Sequence, residues 1–104
     1  MVRNVEKNSS ITNIEIQLTR IKSTISGIVT NGVKPLRNTT VVLRDKDFNK
    51  IASTKTNNDG FYEFYKIPSR KEVFITVMEN NKVLLKSDTF DLDKDIKDYN
   101  LILE

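Results

Sequence analysis

Cysteine and histidine are both missing from the 104 residues, and these two absences close off most site chemistry before any pattern is read. Without thiols there is no disulfide and no thiolate metal site. Without imidazole the commonest general base, the commonest zinc ligand and every Ser-His or Cys-His nucleophile pair are gone. Alanine occurs once, at Ala52, while lysine, asparagine and isoleucine are abundant, the bias of A- and T-rich codons. Long apolar runs are lacking as well. The opening Met1-Val2-Arg3-Asn4-Val5-Glu6-Lys7 has no secretory core, and no later stretch approaches bilayer length. The expectation is a soluble chain without a secretion signal, made in a bacterial cytoplasm, with no membrane partner.

What is present describes one domain with one core. The net charge of +3 is uneven: residues 1–86 carry 15 basic and 8 acidic side chains (+7), and residues 87–104 carry 2 and 6 (−4). The basic residues are interleaved with acids, and their nearest cluster is only Arg70-Lys71, so a nucleic-acid partner is not expected.

The densest signal is Thr54 to Pro68. Asn58, Asp59 and Gly60 suit a sharp reversal, and Phe61-Tyr62-Glu63-Phe64-Tyr65 follows as an aromatic strand that Pro68 ends. This pattern predicts a central hairpin. Around it lie further strands at Ile25–Val29, Val41–Arg44 and Ile51–Thr56, then Val73–Val77, Val83–Phe90 and Tyr99–Leu103. Asn31-Gly32 and Asn80-Asn81 mark turns. Seven short strands at regular spacing predict an all-β fold, a seven-stranded antiparallel Greek-key β-sandwich. Residues 1–22 form its extended N-terminal arm and residues 23–104 the sandwich.

Within the arm, residues 1–10 are polar and patternless, so the stretch is expected to order only against a partner. Between Ile11 and Ile28 two periods compete. Ile14, Ile16 and Leu18 alternate as in a strand, while Ile11, Ile14, Leu18, Ile21, Ile25 and Ile28 recur at helical spacing, with Thr12 and Glu15 placed as a capping box. A helix would imply a short coiled coil; the β-branched residues and Ser26-Gly27 favour extended chain.

Several segments together resemble the carboxypeptidase regulatory-like domain, a transthyretin-like (prealbumin-like) sandwich related to collagen-adhesin B-type domains. They are Ile25-Ser26-Gly27-Ile28-Val29, then Pro35-Leu36-Arg37-Asn38-Thr39-Thr40-Val41-Val42-Leu43, then Thr54 to Phe64 closed by Ile67-Pro68. Asn38 stands where that family has glycine, and no glycine follows Pro68. The resemblance implies a non-catalytic accessory or binding module, and it leaves residues 1–22 unexplained.

No cofactor, metal or catalytic residue is expected. Asp45, Asp47 and Asn49 begin like a calcium loop, but Lys50 replaces the needed glycine and Thr56 the closing glutamate. The run Asp91, Asp93, Asp95 fails similarly at Ile96 and Ile102. The resemblance to collagen-adhesin B-type domains raises a Lys-to-Asn isopeptide staple, for which Lys22, Asn100 and Glu79 or Glu63 are the trio, but Val77 stands where that family's pattern has the acid. If Tyr62 and Phe64 face inward, Phe61 and Tyr65 face outward, joined by Phe74 on the next strand of the same hairpin. The expected protein interface therefore comprises Val2, Val5, Ile11, Ile14, Ile16 and Leu18 of the arm with Phe61, Tyr65 and Phe74 of the sandwich. These features lead to the expectation of a structural module in a larger assembly, a phage virion protein of the capsid-decoration, neck or tail kind. Its partners would be copies of itself or other virion subunits. The alternative is a carbohydrate-binding or cell-surface accessory domain with Phe61 and Tyr65 as sugar platforms.

Overall fold

Period-two alternation is the physical basis of this architecture, because successive side chains of a strand point to opposite faces. The structure, a computed structural model, describes residues 22–103. The strands are β1 (Lys22–Thr30), β2 (Thr40–Asp45), β3 (Lys50–Lys55), β4 (Phe61–Pro68), β5 (Arg70–Glu79), β6 (Lys82–Lys86), β7 (Phe90–Leu92) and β8 (Leu101–Ile102). No helix forms among the described residues. Three strands make one sheet in the order β4-β1-β8, and five make the other, β3-β2-β5-β6 with β7 also paired to β5.

The core lies between the sheets. Val41 and Leu43 of β2 and Val73, Ile75 and Val77 of β5 meet Ile25 and Val29 of β1 and Tyr62 and Phe64 of β4. Each such buried side chain contributes about 1.5–3 kcal/mol. Asn80 (φ +52) and Asn81 (φ +68) both take left-handed conformations, as the two-residue β5–β6 hairpin requires. Asn38, at φ +56, also adopts a left-handed conformation.

The pairing departs from the sequence expectation in three ways. First, β3 and β4 do not form a hairpin. Asn57 accepts the Phe61 N–H on its Oδ1 (3.0 Å) and donates its own N–H to the Phe61 carbonyl (3.0 Å). That closes a local turn, after which the chain steps from one sheet to the other. Gly60, at φ +76, sits so close to the Val29 carbonyl and the Pro35 side chain that a Cβ would lie 2.7 and 2.8 Å from them. Second, the stretch expected as one strand from Val83 to Phe90 is two. Ser87 interrupts it by donating its N–H to the Ile75 carbonyl (2.8 Å) and accepting the Ile75 N–H on Oγ (2.9 Å).

Third, the last strand is short and runs parallel to β1, with Val29 opposite Leu101 and Thr30 opposite Ile102. The segment before it is irregular but well tied to β1. Ser26 N–H donates to the Ile96 carbonyl (3.0 Å), Ile96 N–H to Thr24 (2.9 Å), Tyr99 N–H to Ser26 (2.9 Å) and Leu103 N–H to Thr30 (2.9 Å). Gly27 makes this possible, because a Cβ there would overlap the Tyr99 backbone.

Candidate interaction surface

The two sheets present very different outer faces. On β5 the side chains of Phe74, Thr76 and Met78 point away from the core, opposite Val73, Ile75 and Val77, yet Phe74 is only 3% exposed. A lid of side chains covers it. Phe48 sits in a left-handed backbone conformation (φ +71) that brings its ring 5.9 Å from that of Phe74. The Arg44 guanidinium lies 4.1 Å from the centre of the Phe48 ring, and the Lys86 ammonium lies 4.8 Å from the centre of the Phe74 ring. Arg44 also donates from Nε to Thr76 Oγ1 (3.1 Å) and from Nη1 to the Phe48 carbonyl (3.1 Å). Because Phe48 is 46% exposed and Lys86 is exposed, each of these cation–aromatic contacts is worth about 0.5–1 kcal/mol.

Among the described residues the three-stranded sheet has no such lid. Phe61 is 39% exposed, Tyr65 64%, Ile28 38% and Ile102 53%. Ile28 stands directly opposite Phe61 in the β1–β4 ladder, and Ile102 opposite Thr30 on the other side of β1. Ile102, Ile28 and Phe61 thus form a short apolar row across the sheet, and Tyr65 stands further along β4 beyond Glu63, with the Lys66 ammonium 5.2 Å from the centre of its ring. Exposed apolar groups clustered in this way mark interaction sites.

The expected interface therefore divides. Phe61 and Tyr65 are outward and open, as alternation predicts. Phe74 does not belong with them: β4 and β5 lie in different sheets, so Phe74 is on the opposite face of the molecule and buried. Val2, Val5, Ile11, Ile14, Ile16 and Leu18 lie outside the described residues. Ile28 and Ile102 complete the row and were missed. Ile28 could have been found from its parity with Ser26, whereas Ile102 needed the parallel pairing of β8.

The acidic runs serve the backbone. Asp45 Oδ1 accepts the N–H groups of Asp47 and Asn49, both at 2.9 Å, and the Asn49 backbone bond foremost holds its carboxyl below the usual range. Asp91 Oδ1 accepts from Glu72 N–H (3.1 Å) and Asp95 Oδ1 from Thr24 N–H (2.9 Å). No cluster of acidic side chains suited to a metal ion occurs among the described residues. Lys22 and Asn100 stand at opposite ends of β1: Lys22 faces Pro68, and Asn100 Oδ1 accepts the Ile28 N–H (2.9 Å). At the end of the sandwich away from Lys22, an open cleft of about 770 Å³ lies between the 34–40 loop and the β5–β6 turn.

These features define a β-sandwich-like, all-β domain that covers Phe74 on the outer side of its five-stranded sheet, beneath a Phe48 ring 46% exposed, and leaves Phe61 and Tyr65 open on its three-stranded sheet. No family model and no curated protein matches the chain. Among solved structures, one described as "The Bacillus anthracis TIE protein" is similar, with a TM-score of 0.57 and 14% identity. The match covers 81% of this chain and 16% of that one, so the chain spans about a sixth of the neighbour's length. The likeness is one of fold.

Proposed function

We propose that this protein is a non-catalytic structural and interaction module of a larger assembly, a phage virion component of the capsid-decoration, neck or tail kind. In this reading residues 23–104 are a Greek-key sandwich of the carboxypeptidase regulatory-like kind, seven-stranded when β6 and β7 count as one interrupted strand along β5. Residues 1–22 are the arm that reaches neighbouring subunits, copies of the same chain or other virion proteins. The observation that carries the reading is the exposed row Ile102, Ile28 and Phe61 with the open Tyr65 ring further along the same face. A chain that covers Phe74 so thoroughly on one face and leaves Tyr65 bare on the other has a use for the bare face.

Light scattering on the full chain and on a Phe61→Ser/Tyr65→Ser variant tests this directly. The full chain is expected to assemble, and the variant, folded by circular dichroism, to be monomeric. A monomeric wild type, or a variant that assembles equally well, removes the face from the account. Mass spectrometry of purified particles tests the virion setting, and absence of the chain from them counts against it.

A second reading is favoured by Tyr65 itself, whose open ring beside the Lys66 ammonium is a platform on which a sugar could stack. That makes the domain a carbohydrate-binding or cell-surface accessory module. Binding on a glycan panel that Tyr65→Ala abolishes supports it; a blank panel ends it.

A further inference from the structure

β4 is the outer strand of its sheet, and β1 is its one strand neighbour among the described residues. Register decides which of its backbone groups are already used. Val29 N–H donates to the Gly60 carbonyl (2.9 Å), and hydrogen-bonded pairs recur at every second residue of an antiparallel ladder. The pairing of Gly27 with Tyr62 and Ile25 with Phe64 therefore turns the N–H and C=O groups of Tyr62 and Phe64 toward β1. Those of Phe61, Glu63 and Tyr65 point away. Asn57 satisfies Phe61; Glu63 and Tyr65 face the open edge. Proteins ordinarily blunt such an edge with charge, proline or bulges; on β4, Lys66, Pro68 and the ladder irregularity stand at the far end, and the Phe61–Tyr65 stretch holds only Glu63.

The core is also thinnest beside this edge. On β3, Ala52 and Thr54 hold the register positions opposite Leu43 and Val41, which are fully buried, yet Ala52 and Thr54 are only half-buried. A further strand beside β4 would cover them.

The sequence contains one stretch with the right pattern. Ile14, Ile16 and Leu18 alternate with Glu15 and Gln17, and residues 1–22 hold neither proline nor glycine. We propose that residues 14–18 of a second copy of this chain add as a strand to the free edge of β4. Ile14, Ile16 and Leu18 turn inward over Ala52 and Thr54, while Glu15 and Gln17 turn outward beside Glu63 and Tyr65. The proposal rests on the assembly reading and names its partner and mode of contact.

The chain's own arm is poorly placed for this seat. β1 begins at Lys22, one strand in from the edge and opposite Pro68. The four Cα–Cα steps from Leu18 to Lys22 span at most about 13–14 Å of extended chain. Stepping across two strand spacings takes about 9.5 Å, which leaves about 4 Å for passing around Pro68 and reversing direction. A neighbour's arm has no such constraint, and reciprocal exchange between two copies closes a two-fold dimer.

The lack of native cysteine makes the test clean. Full-length chains carrying Glu63→Cys are mixed with full-length chains carrying Gln17→Cys, or separately Ile16→Cys, and treated with a short thiol-reactive cross-linker. The expected result is a cross-linked heterodimer with Gln17→Cys and roughly five-fold less with Ile16→Cys, because alternate side chains point to opposite faces. Equal yields at both positions, or none at either, overturn the proposal. A Glu63→Cys/Gln17→Cys chain that cross-links only within itself on dilution also overturns it, since the arm then belongs to its own domain. Glu63→Pro withdraws an edge N–H without touching the β1 ladder and is expected to lower the dimer fraction in light scattering; an unchanged fraction contradicts the edge contact. If wild type assembles through Phe61 and Tyr65 but residues 17 and 63 never cross-link, strand addition is wrong and the assembly reading stands. If neither assembly nor cross-linking occurs, both fall.

Discussion

Phe74 and Tyr65 are both outward-facing aromatics on strands of the same sandwich, yet Phe74 is 3% exposed and Tyr65 64%. The five-stranded sheet covers its outer face with Phe48, Arg44 and Lys86, at the cost of a strained phenylalanine at φ +71. For a bulky residue that conformation costs about 1–2 kcal/mol, which the aromatic and cationic contacts it permits help to offset. The three-stranded sheet makes no comparable investment. It is stabilised from its edge instead, by the 95–103 segment hydrogen-bonded along β1, and its outer face is left to solvent or to a partner. Outward orientation on a strand thus says nothing about exposure until the loops and long side chains above it are known.

The sharpest way to break the comparison is to truncate one aromatic on each face. Phe74→Ala is expected to cost about 3 kcal/mol, as large-to-small changes of buried aromatics do, while Phe61→Ala costs under about 1 kcal/mol; urea unfolding of both variants decides it. Equal losses would mean that the two faces are covered alike. Gly27→Ala attacks the edge tie of the open sheet, since the added methyl collides with the Tyr99 backbone. The expected loss is about 2–3 kcal/mol, with amide exchange at Ser26 and Tyr99 accelerated more than in β5.

Arg44→Ala sharpens the picture of the covered face. It removes a cation over Phe48 and three hydrogen bonds, the weakest to the Met78 sulfur, for an expected loss of about 2 kcal/mol, and it should raise binding of a hydrophobic dye. The smallest effect concerns Tyr62, whose hydroxyl donates to the Tyr99 carbonyl beneath the open sheet. Burial foremost, with the neighbouring Tyr99, pushes its ionisation well above the ordinary value. A raised folded-state value means that its contribution is fully present below about pH 10, the unfolded tyrosine value, and is lost as pH climbs through the folded-state value. Tyr62→Phe is expected to cost about 1 kcal/mol at neutral pH and to flatten the decline above pH 10 in stability measurements.

Much of the β-structure was legible in residue order. Val41 with Leu43, and Val73 with Ile75 and Val77, announced their inward faces, and the paired asparagines at 80 and 81 announced a tight reversal. The outward parity of Phe61 and Tyr65 against Tyr62 and Phe64 was legible for the same reason. Phe48 was not legible: nothing local marks a turn residue as the cover of a side chain 26 positions away. Nor was the Arg44 contact with Thr76.

Alternation by itself determined which residues form strands and which face of each strand is apolar, because the pleat of an extended backbone imposes a period of two on every side chain. Partner choice was decided only in three dimensions. β4 pairs with β1 rather than with β3 or β5, β8 runs parallel to β1 past a glycine with no room for a Cβ, and one aromatic face is covered while the other is bare. Each of these depends on contacts between residues far apart in the chain, whose energies are set by the whole fold and leave no periodic trace in the sequence.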